Sequence, residues 1–319
     1  MLGEIPDRTL EQAAIRYVQE NPNKRSLKTD RSRFRVLFGT DPKLINTKLR
    51  EINNKSLETF IALRQSDGVK NSTINRALAL VSAILNQAAN KWEPRWLKEA
   101  PAIQFLENDS QPVRRPITWS EQRKLLSVLP PHLSCMAELI CHTGMRDAEI
   151  CNLEWSWIVD YPVINESVII LPAAITKANR ERLIPLNRVA KTVIEQRRKT
   201  DDANETHVFH YRGKPISRMY NSAWMRARVL SEANLDTLRV HDLRHTAAQR
   251  LLDAGVEGSV RDALLGHSDQ SMRLRYAPPP IQDLLEAVEK IAVEPPEGSI
   301  VRVPTVEEVI EQQRARKSA

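Results

Sequence analysis

Apolar residues recur with the spacing of an α-helix through the first hundred residues of the chain. The longest such stripe runs from Ser72 to Asn90 and consists of Ile74, Ala77, Leu78, Val81, Ile84, Leu85 and Ala88. A second helix is predicted from Leu10 to Val18, and the segment from Ser26 to Phe38 is strongly basic. Such a segment is either a solvated helix face or a surface that contacts phosphates. These patterns predict a small helical domain over residues 1–100.

The periodicity stops between residues 101 and 117, a stretch that contains three prolines and no helical spacing of apolar residues. Proline interrupts helices because it lacks a backbone N–H, so this stretch is predicted to be a linker. Thr118 and Glu121 then have the spacing of a capping box, which marks the start of a new helix. A second domain is therefore predicted over residues 118–290.

The helical pattern of this second domain is interrupted by two short β-prone runs. Ser167–Leu171 and Leu183–Leu186 are apolar and predict two strands joined by a turn. Helical spacing then resumes at Ser222–Ala233, Asp242–Ala254 and Ser259–Leu265. The predicted fold class is mostly α with a small β-sheet.

Residues 291–319 are predicted to form a C-terminal tail with one short helix. Thr305 and Glu308 have the spacing of a second capping box ahead of a short amphipathic segment. A helix of this length is too small to fold alone. We therefore expect it to pack on its own domain or on another copy of the chain.

The composition argues against a membrane protein, a secreted protein and a zinc protein. The chain has 319 residues, 41% of them hydrophobic, and it contains no apolar run of the roughly 20 residues that a membrane span needs. Glu4 and Asp7 make the N-terminal segment unlike a secretory signal, so a cytoplasmic protein without membrane contact is expected. The cysteines, Cys135, Cys141 and Cys151, lack the spacing of a zinc site, and no metal is predicted.

The charge balance points to a polyanionic partner. The chain has 47 Lys and Arg against 40 Asp and Glu, a formal net charge of +7. The excess is distributed over both predicted domains. A basic protein attracts nucleic acid, since neutralisation of phosphates releases counterions.

The second domain also contains the residues with candidate chemistry. His241 and Arg244 are one helical turn apart, so both can approach the same point. Gly144 predicts a helix break just before Arg146. Glu149, one turn later, is placed to accept a hydrogen bond from Arg146 and to orient its guanidinium.

Three further residues complete the set of candidates. Lys177 lies beside the turn between the two predicted strands. Gly266 is predicted to end a helix directly before His267, and Tyr276 follows nine residues later.

Together these motifs resemble the tyrosine recombinases, also called phage-type integrases. The matching segments stand in the family's order and at its usual separations: TGMRDAEICNLEW at 143–155, TKANRERLIPL at 176–186, HDLRH at 241–245 and LGHSDQSMRLRY at 265–276. The first hundred residues look like the family's helical core-binding domain, which binds DNA. Residues 118–290 look like its α+β catalytic domain.

The resemblance implies a site-specific recombinase that integrates or excises a phage or another mobile element. Its substrate would be double-stranded DNA, and four protomers would assemble on that DNA into a synapse. A directionality factor or a host architectural protein would be the accessory partner. The family's product, a 3′-phosphotyrosyl link with a free 5′ hydroxyl, stores the bond energy, so no cofactor, metal or ATP is expected.

The residue types fit this phosphoryl transfer. Arg146 and Arg244 suit the negative charge that develops on the non-bridging oxygens of a phosphodiester under attack. His241 and His267 would donate hydrogen bonds or handle a proton. Tyr276 is the candidate nucleophile, and nearby cations must activate it because a free phenol has a pKa of about 10.

Other candidates are less specific. Lys177 is expected to protonate the leaving 5′ oxygen as a general acid, although a lysine beside a turn is commonplace. Glu149 is expected to orient Arg146, and His245 is either a supporting partner or a surface residue of its helix. Tyr211 and Tyr220 compete with Tyr276 for the role of nucleophile, but neither follows an LGH segment.

Two other functions stay open on the sequence. A type IB topoisomerase uses nearly the same side chains to relax supercoils without a defined site. A catalytically silent DNA-binding regulator would have the fold without the reaction. A sequence-specific footprint separates the first from a recombinase, and a phosphotyrosyl adduct excludes the second.

Overall fold

The computed structural model describes residues 5–109, 116–162, 164–200, 206–266 and 279–296. The chain divides into two compact units, Met1–Pro112 and Val113–Ala319. The division falls inside the stretch 101–117 that the sequence predicts to be a linker.

The first unit is built of helices around one apolar core. They are α1 (Leu10–Glu20), α2 (Leu27–Thr40), α3 (Lys43–Asn46), α4 (Asn54–Ser66) and α5 (Asn71–Asn90), with a 3₁₀ turn at Leu49–Glu51. The helix predicted from periodicity at Ser72–Asn90 is present as α5, and its apolar stripe is buried. A capping box between Thr9 and Gln12 starts α1.

Residues 101–109 have no helix or strand, but they are held against the first unit. Asn54 and Asn75 each bond the backbone of this segment with both atoms of their amide group. Asn75, for example, pairs with the N and O of Leu106 at 2.8 Å each. Ile103 joins the core of the first unit. These side-chain amides thus supply hydrogen-bond partners to backbone N–H and C=O groups that no helix or sheet satisfies.

The second unit combines helices with two small antiparallel sheets, which confirms the predicted fold class. Its strands are β1 (Ile158–Tyr161), β2 (Glu166–Leu171) and β3 (Arg182–Pro185) in one sheet, and β4 (His210–Tyr211) and β5 (Lys214–Pro215) in the other. Its helices are α6 (Trp119–Val128), α7 (Pro131–Thr143), α8 (Asp147–Cys151), α9 (Arg188–Thr200), α10 (Ser222–Leu230), α11 (Val240–Asp253), α12 (Gly258–Leu265) and α13 (Ile281–Glu289).

Helix α7 is the most buried helix of this unit and contacts α9 and α11. Strand β1 and helix α9 were not predicted from the sequence. Only three apolar residues of α9, Ala190, Val193 and Ile194, are buried. The apolar residues Val189, Ala190, Val193 and Ile194 nevertheless have helical spacing, so the sequence contained a local signal for this helix.

The core of the second unit continues beyond residue 290. Ile291 packs with residues of α11, α12 and α13 in a small apolar cluster, and Ala292 is also buried. The helix expected at Thr305 to Glu308 lies outside the described residues.

Candidate active site

Arg146 is positioned by a sharp break between α7 and α8. Gly144 follows α7 with a φ of 65°, a left-handed conformation that glycine adopts without steric cost. A Cβ atom there would lie 2.6 Å from Cδ2 of Leu265, so the position has no room for a side chain. The N–H of Arg146 then donates to Oε2 of Glu149 at 2.7 Å, which starts α8. The break and the contact between Arg146 and Glu149 are confirmed.

Glu149 is shared by two arginines. Its Oε1 accepts a hydrogen bond from Nη1 of Arg146 at 2.8 Å, and its Oε2 accepts one from Nη2 of Arg182 at 2.7 Å. Burial alone would raise the pKa of Glu149, but the charge of Arg182 and the hydrogen bonds from Arg146 hold this pKa below its usual range. Glu149 is therefore an ionised carboxylate that orients guanidinium groups, and not a proton donor.

Arg244 reaches the same region from α11 and is itself buried, with 5% of its surface exposed. It donates from Nη1 to the carbonyl of Gly144 and from Nη2 to the carbonyl of Leu265. Burial lowers the pKa of Arg244 to about 9, and the neighbouring charges of Arg146 and Arg182 act in the same direction. A pKa of about 9 still leaves Arg244 cationic at neutral pH.

The carbonyl end of α12 brings the three arginines together. Leu265 O accepts from Nη1 of Arg182 at 2.9 Å and from Nη2 of Arg244, while Gly266 O accepts from Nη2 of Arg146 at 3.0 Å. Carbonyls in the last turn of a helix lack partners within the helix and carry partial negative charge, so they suit cations. In these contacts three guanidinium groups meet one carboxylate. The excess positive charge favours an anion such as a phosphate.

Helix α11 exposes one of its two predicted site residues and buries the other. Arg244 is buried, whereas His241 lies at the exposed start of the same helix. His245 is exposed one turn further on, and the ring centroids of the two histidines are 4.8 Å apart. The structure thus places an imidazole pair on the surface of the helix that buries Arg244.

Lys177 is exposed on the turn between β2 and β3. Thr176 orders this turn, because its hydroxyl donates to the carbonyl of Arg180 at 2.7 Å and accepts from the N–H of the same residue at 3.1 Å. Arg182 begins β3. One hairpin therefore holds Lys177 near its tip and Arg182 at its base.

The predicted site residues fall into three groups. Arg146, Glu149 and Arg244 come together around the end of α12. Among the described residues, the surface positions of the set are Lys177, His241 and His245. His267 and Tyr276 lie outside the described residues, and His267 directly follows Gly266 in the chain.

Sequence reasoning missed Arg182. It occupies the same face of β3 as Ile184, whose exposed fraction is 1%, and its backbone pairs with Leu171, which is fully buried. A charged residue in register with buried apolar residues is the signal that could have identified it. The segment TKANRERLIPL contains this residue, but its position relative to Glu149 is not visible in a local pattern.

Metal-ligating side chains are dispersed in the described ranges. No group of three or more His, Cys, Asp and Glu residues there is close enough to hold a metal ion. Burial raises the pKa of Cys141 to about 11, so this thiol is a neutral core residue. Over the same ranges, no helix has both the length and the apolar character needed to cross a membrane.

Residues 117–280 match the model of the phage integrase family, which covers just over half of the chain. The integrase of Salmonella phage P22 is 28% identical over 316 residues, spanning 86% of this chain and 78% of its own length. Tyrosine recombinase XerC of Corynebacterium glutamicum is 28% identical over 264 residues, spanning 76% of this chain and 80% of its own length.

Solved structures share the fold. The Tn1549 transposon integrase in complex with a circular intermediate DNA matches with a TM-score of 0.69 and 18% identity, over 96% of this chain and 99% of that one. A lambda integrase tetramer bound to a Holliday junction matches with a TM-score of 0.59 and 19% identity, over 83% of this chain and 80% of that one. At this level of identity the likeness establishes the fold.

Proposed function

The chain belongs to the phage integrase family and is a site-specific tyrosine recombinase, and we propose that it cuts and rejoins DNA through a covalent tyrosyl intermediate. The observation that carries this proposal is the arginine cluster, formed by Arg146, Arg182 and Arg244 around the end of α12. Arg146 and Arg244 are held by the carbonyls at the end of α12, directly before His267. A preassembled pair of guanidinium groups, one buried and one partly buried, suits the charge of a phosphodiester in its transition state.

The two arginines stabilise the phosphate under attack. As the phosphorus becomes pentacoordinate, negative charge grows on its non-bridging oxygens, and charge-assisted hydrogen bonds from Arg146 and Arg244 strengthen with it. Glu149 keeps Arg146 in place because its carboxylate is ionised and buried. A preorganised site needs little rearrangement when the reaction occurs.

Tyr276 is the proposed nucleophile. Its phenolic oxygen forms a bond to phosphorus, and its proton passes to His241 or His267. The bond from phosphorus to the 5′ oxygen breaks, and Lys177 donates a proton to that oxygen. The products are a 3′-phosphotyrosyl link and a free 5′ hydroxyl. Attack by the 5′ hydroxyl of another strand reverses these steps and rejoins the DNA.

We propose that the reacting assembly is a synapse of four protomers on double-stranded DNA. The excess positive charge of the chain supports binding to DNA along both units. A directionality factor or a host architectural protein would bias the reaction toward integration or excision. The activity belongs in the cytoplasm, where chromosomal and phage DNA meet.

The test measures covalent protein–DNA adducts. The purified chain is incubated without metal or ATP on supercoiled plasmid carrying the DNA that flanks its gene, and the reaction is stopped with detergent. Adducts should form with the wild type and with Tyr220→Phe, and Tyr276→Phe should form none. Tyr220 is the matched control because it is an exposed tyrosine of the same unit.

Three other outcomes would replace the proposal. Equal relaxation of a plasmid without the flanking DNA would indicate a topoisomerase-like activity. Loss of the adduct in Tyr220→Phe would assign the nucleophile to Tyr220 in place of Tyr276. If the wild type forms no adduct on the plasmid or on a nicked duplex with the same DNA, the chain is a DNA-binding regulator.

A further inference from the structure

Arg182 links the residues of the arginine cluster, although it is not part of the predicted site. It donates from Nη2 to Glu149 and from Nη1 to the carbonyl of Leu265. The first contact reaches the carboxylate that orients Arg146. The second reaches the end of α12, two residues before His267. One side chain thus contacts both segments that present predicted site residues.

The guanidinium of Arg182 is buried, although an arginine is normally solvated at the surface. Only 8% of its side chain is exposed, and its Nε has no hydrogen-bond partner. Removing a guanidinium from water is unfavourable unless well-placed partners replace the hydration. The partners found here are the ionised Glu149 and a helix-end carbonyl. Burial and the charge of Arg146 lower the pKa of Arg182, while the charge of Glu149 opposes this.

Gly266 adds a steric constraint to this link. A Cβ atom at Gly266 would lie 2.5 Å from Nη1 of Arg182, and φ at this position is 62°. The chain can therefore approach the guanidinium closely only because residue 266 has no side chain. The position of Arg182 determines where the chain leaves α12 toward His267.

We propose that Arg182 is a positioning residue for DNA cleavage. It fixes Glu149, and through it Arg146, relative to the Leu265–Gly266 turn from which His267 follows. It acts through these groups and does not contact the phosphate. This role rests on the recombinase function proposed above. The alternative is that Arg182 only cross-links the core, in which case its loss would destabilise the fold without affecting the reaction of folded molecules.

Arg197 provides a matched control in the same unit. It is buried to a similar extent, donates to the carbonyl of Val208 and stacks near the ring of Phe209. It lies outside the contacts of the arginine cluster that the structure describes. Arg197→Met therefore measures the general cost of removing a buried arginine from this unit.

The experiment compares single-turnover adduct formation by Arg182→Met, Arg182→Lys and Arg197→Met on the supercoiled plasmid with flanking DNA. Arg182→Met should form adduct about 100-fold more slowly than wild type, because small misplacement of reacting groups has effects of this size. Its Kd for the same DNA should change by less than about twofold, since a positioning residue does not bind the phosphate. Arg182→Lys should recover part of the rate, because it keeps one charged donor.

A double variant tests whether Arg182 acts through Glu149. Arg182→Met combined with Glu149→Gln should lose much less than the product of the two single losses, as expected for residues that act as a unit. Equal rate losses per folded molecule in Arg182→Met and Arg197→Met would overturn the positioning role. The positioning role would also be overturned if weaker DNA binding fully explained the slower adduct formation by Arg182→Met. Absence of adduct with the wild type would instead overturn the recombinase function, and this role with it.

Discussion

In each unit a carboxylate that is 1% exposed pairs with two basic side chains, but the two carboxylates differ in what their partners contact. Asp30 on α2 and Glu149 on α8 are each 1% exposed. Asp30 pairs with Arg33 at 3.0 Å and with Lys24 at 2.8 Å. The side chains of these two partners are 32% and 38% exposed, so both cations keep much of their hydration.

The partners of Glu149 are less exposed to water than those of Asp30. Arg146 and Arg182 are 23% and 8% exposed, and both continue to carbonyls at the end of α12. Charge interactions strengthen where water is excluded. The difference teaches that a buried carboxylate with hydrated partners stabilises its own helix and the turn before it. A buried carboxylate with one buried and one partly buried partner sets the positions of charges that can act on a substrate.

The largest expected contrast comes from neutralising each carboxylate. Glu149→Gln should slow adduct formation by about 100-fold, because Arg146 loses the anion that orients it. Asp30→Asn should lower the free energy of unfolding by about 2 kcal/mol, the typical value of hydrogen bonds to a charged group. Its adduct formation per folded molecule should equal that of the wild type. The measurements are single-turnover rates on saturating DNA and urea unfolding.

The same two variants also show which result would contradict this comparison. If Asp30→Asn slows the reaction of folded molecules as much as Glu149→Gln does, the two carboxylates have equivalent roles. The comparison between the units would then be wrong.

The two units are also expected to differ in how their stability changes as the pH falls. His142 on α7 is buried, with Nδ1 near the amide of Asn187 and a backbone hydrogen bond to Ile291. The same amide nitrogen donates to Val288 O and its oxygen accepts from Ala190 N, so the amide cannot turn to accept from a protonated ring. Burial and the charge of Arg250 lower the pKa of His142 from 6.5 to about 4.

This lowered pKa destabilises the second unit in acid. As pH falls below 6.5, the unfolded chain binds the proton before the folded chain does, so stability is intact above pH 6.5 and falls until about pH 4. The expected loss is about 3 kcal/mol by pH 4, of which about 2 kcal/mol falls between pH 7 and pH 5. All seven histidines lie beyond residue 131, so the first unit loses no stability in acid through histidine protonation. Hydrogen exchange of the full chain at pH 7 and pH 5 reports the two units separately.

His142→Gln is the control for the acid response. It removes the titration, so the second unit should become less stable at pH 7 but vary less between pH 7 and pH 5. An acid loss of unchanged size in this variant would assign the effect to other groups.

The smallest expected effect concerns the exposed basic face of α2. Arg31 and Arg35 are exposed, and neutralising both as Arg31→Gln with Arg35→Gln should lower the slope of log Kd against log salt by about 2. The single-turnover rate on saturating DNA should not change. Arg50→Gln is the control, because Arg50 is exposed on the same unit but already pairs with Asp7 at 2.9 Å. An unchanged salt slope in the double variant would make α2 a solvated helix face.

Local patterns predicted much of the fold. The apolar stripe of α5 and the stop signals at Gly144 and Gly266 appear where the sequence places them, because caps and periodicity depend on neighbours within a few residues. Strand β1 was missed because a run of four residues is too short to show a clear alternation. Helix α9 was missed although Val189, Ala190, Val193 and Ile194 have helical spacing. The packing of residues 101–109 on the first unit was missed because it depends on asparagine side chains 31 to 50 positions away, at Asn54, Asn71 and Asn75.

The sequence by itself determined the helical fold class, the family and the partnership of Arg146 with Glu149, which are three positions apart. Only the tertiary structure decided that Arg182 shares Glu149, and that three arginines converge on the end of α12. These contacts join residues between 21 and 120 positions apart. They follow from how β3, α11 and α12 pack against one another, and no local periodicity encodes that arrangement.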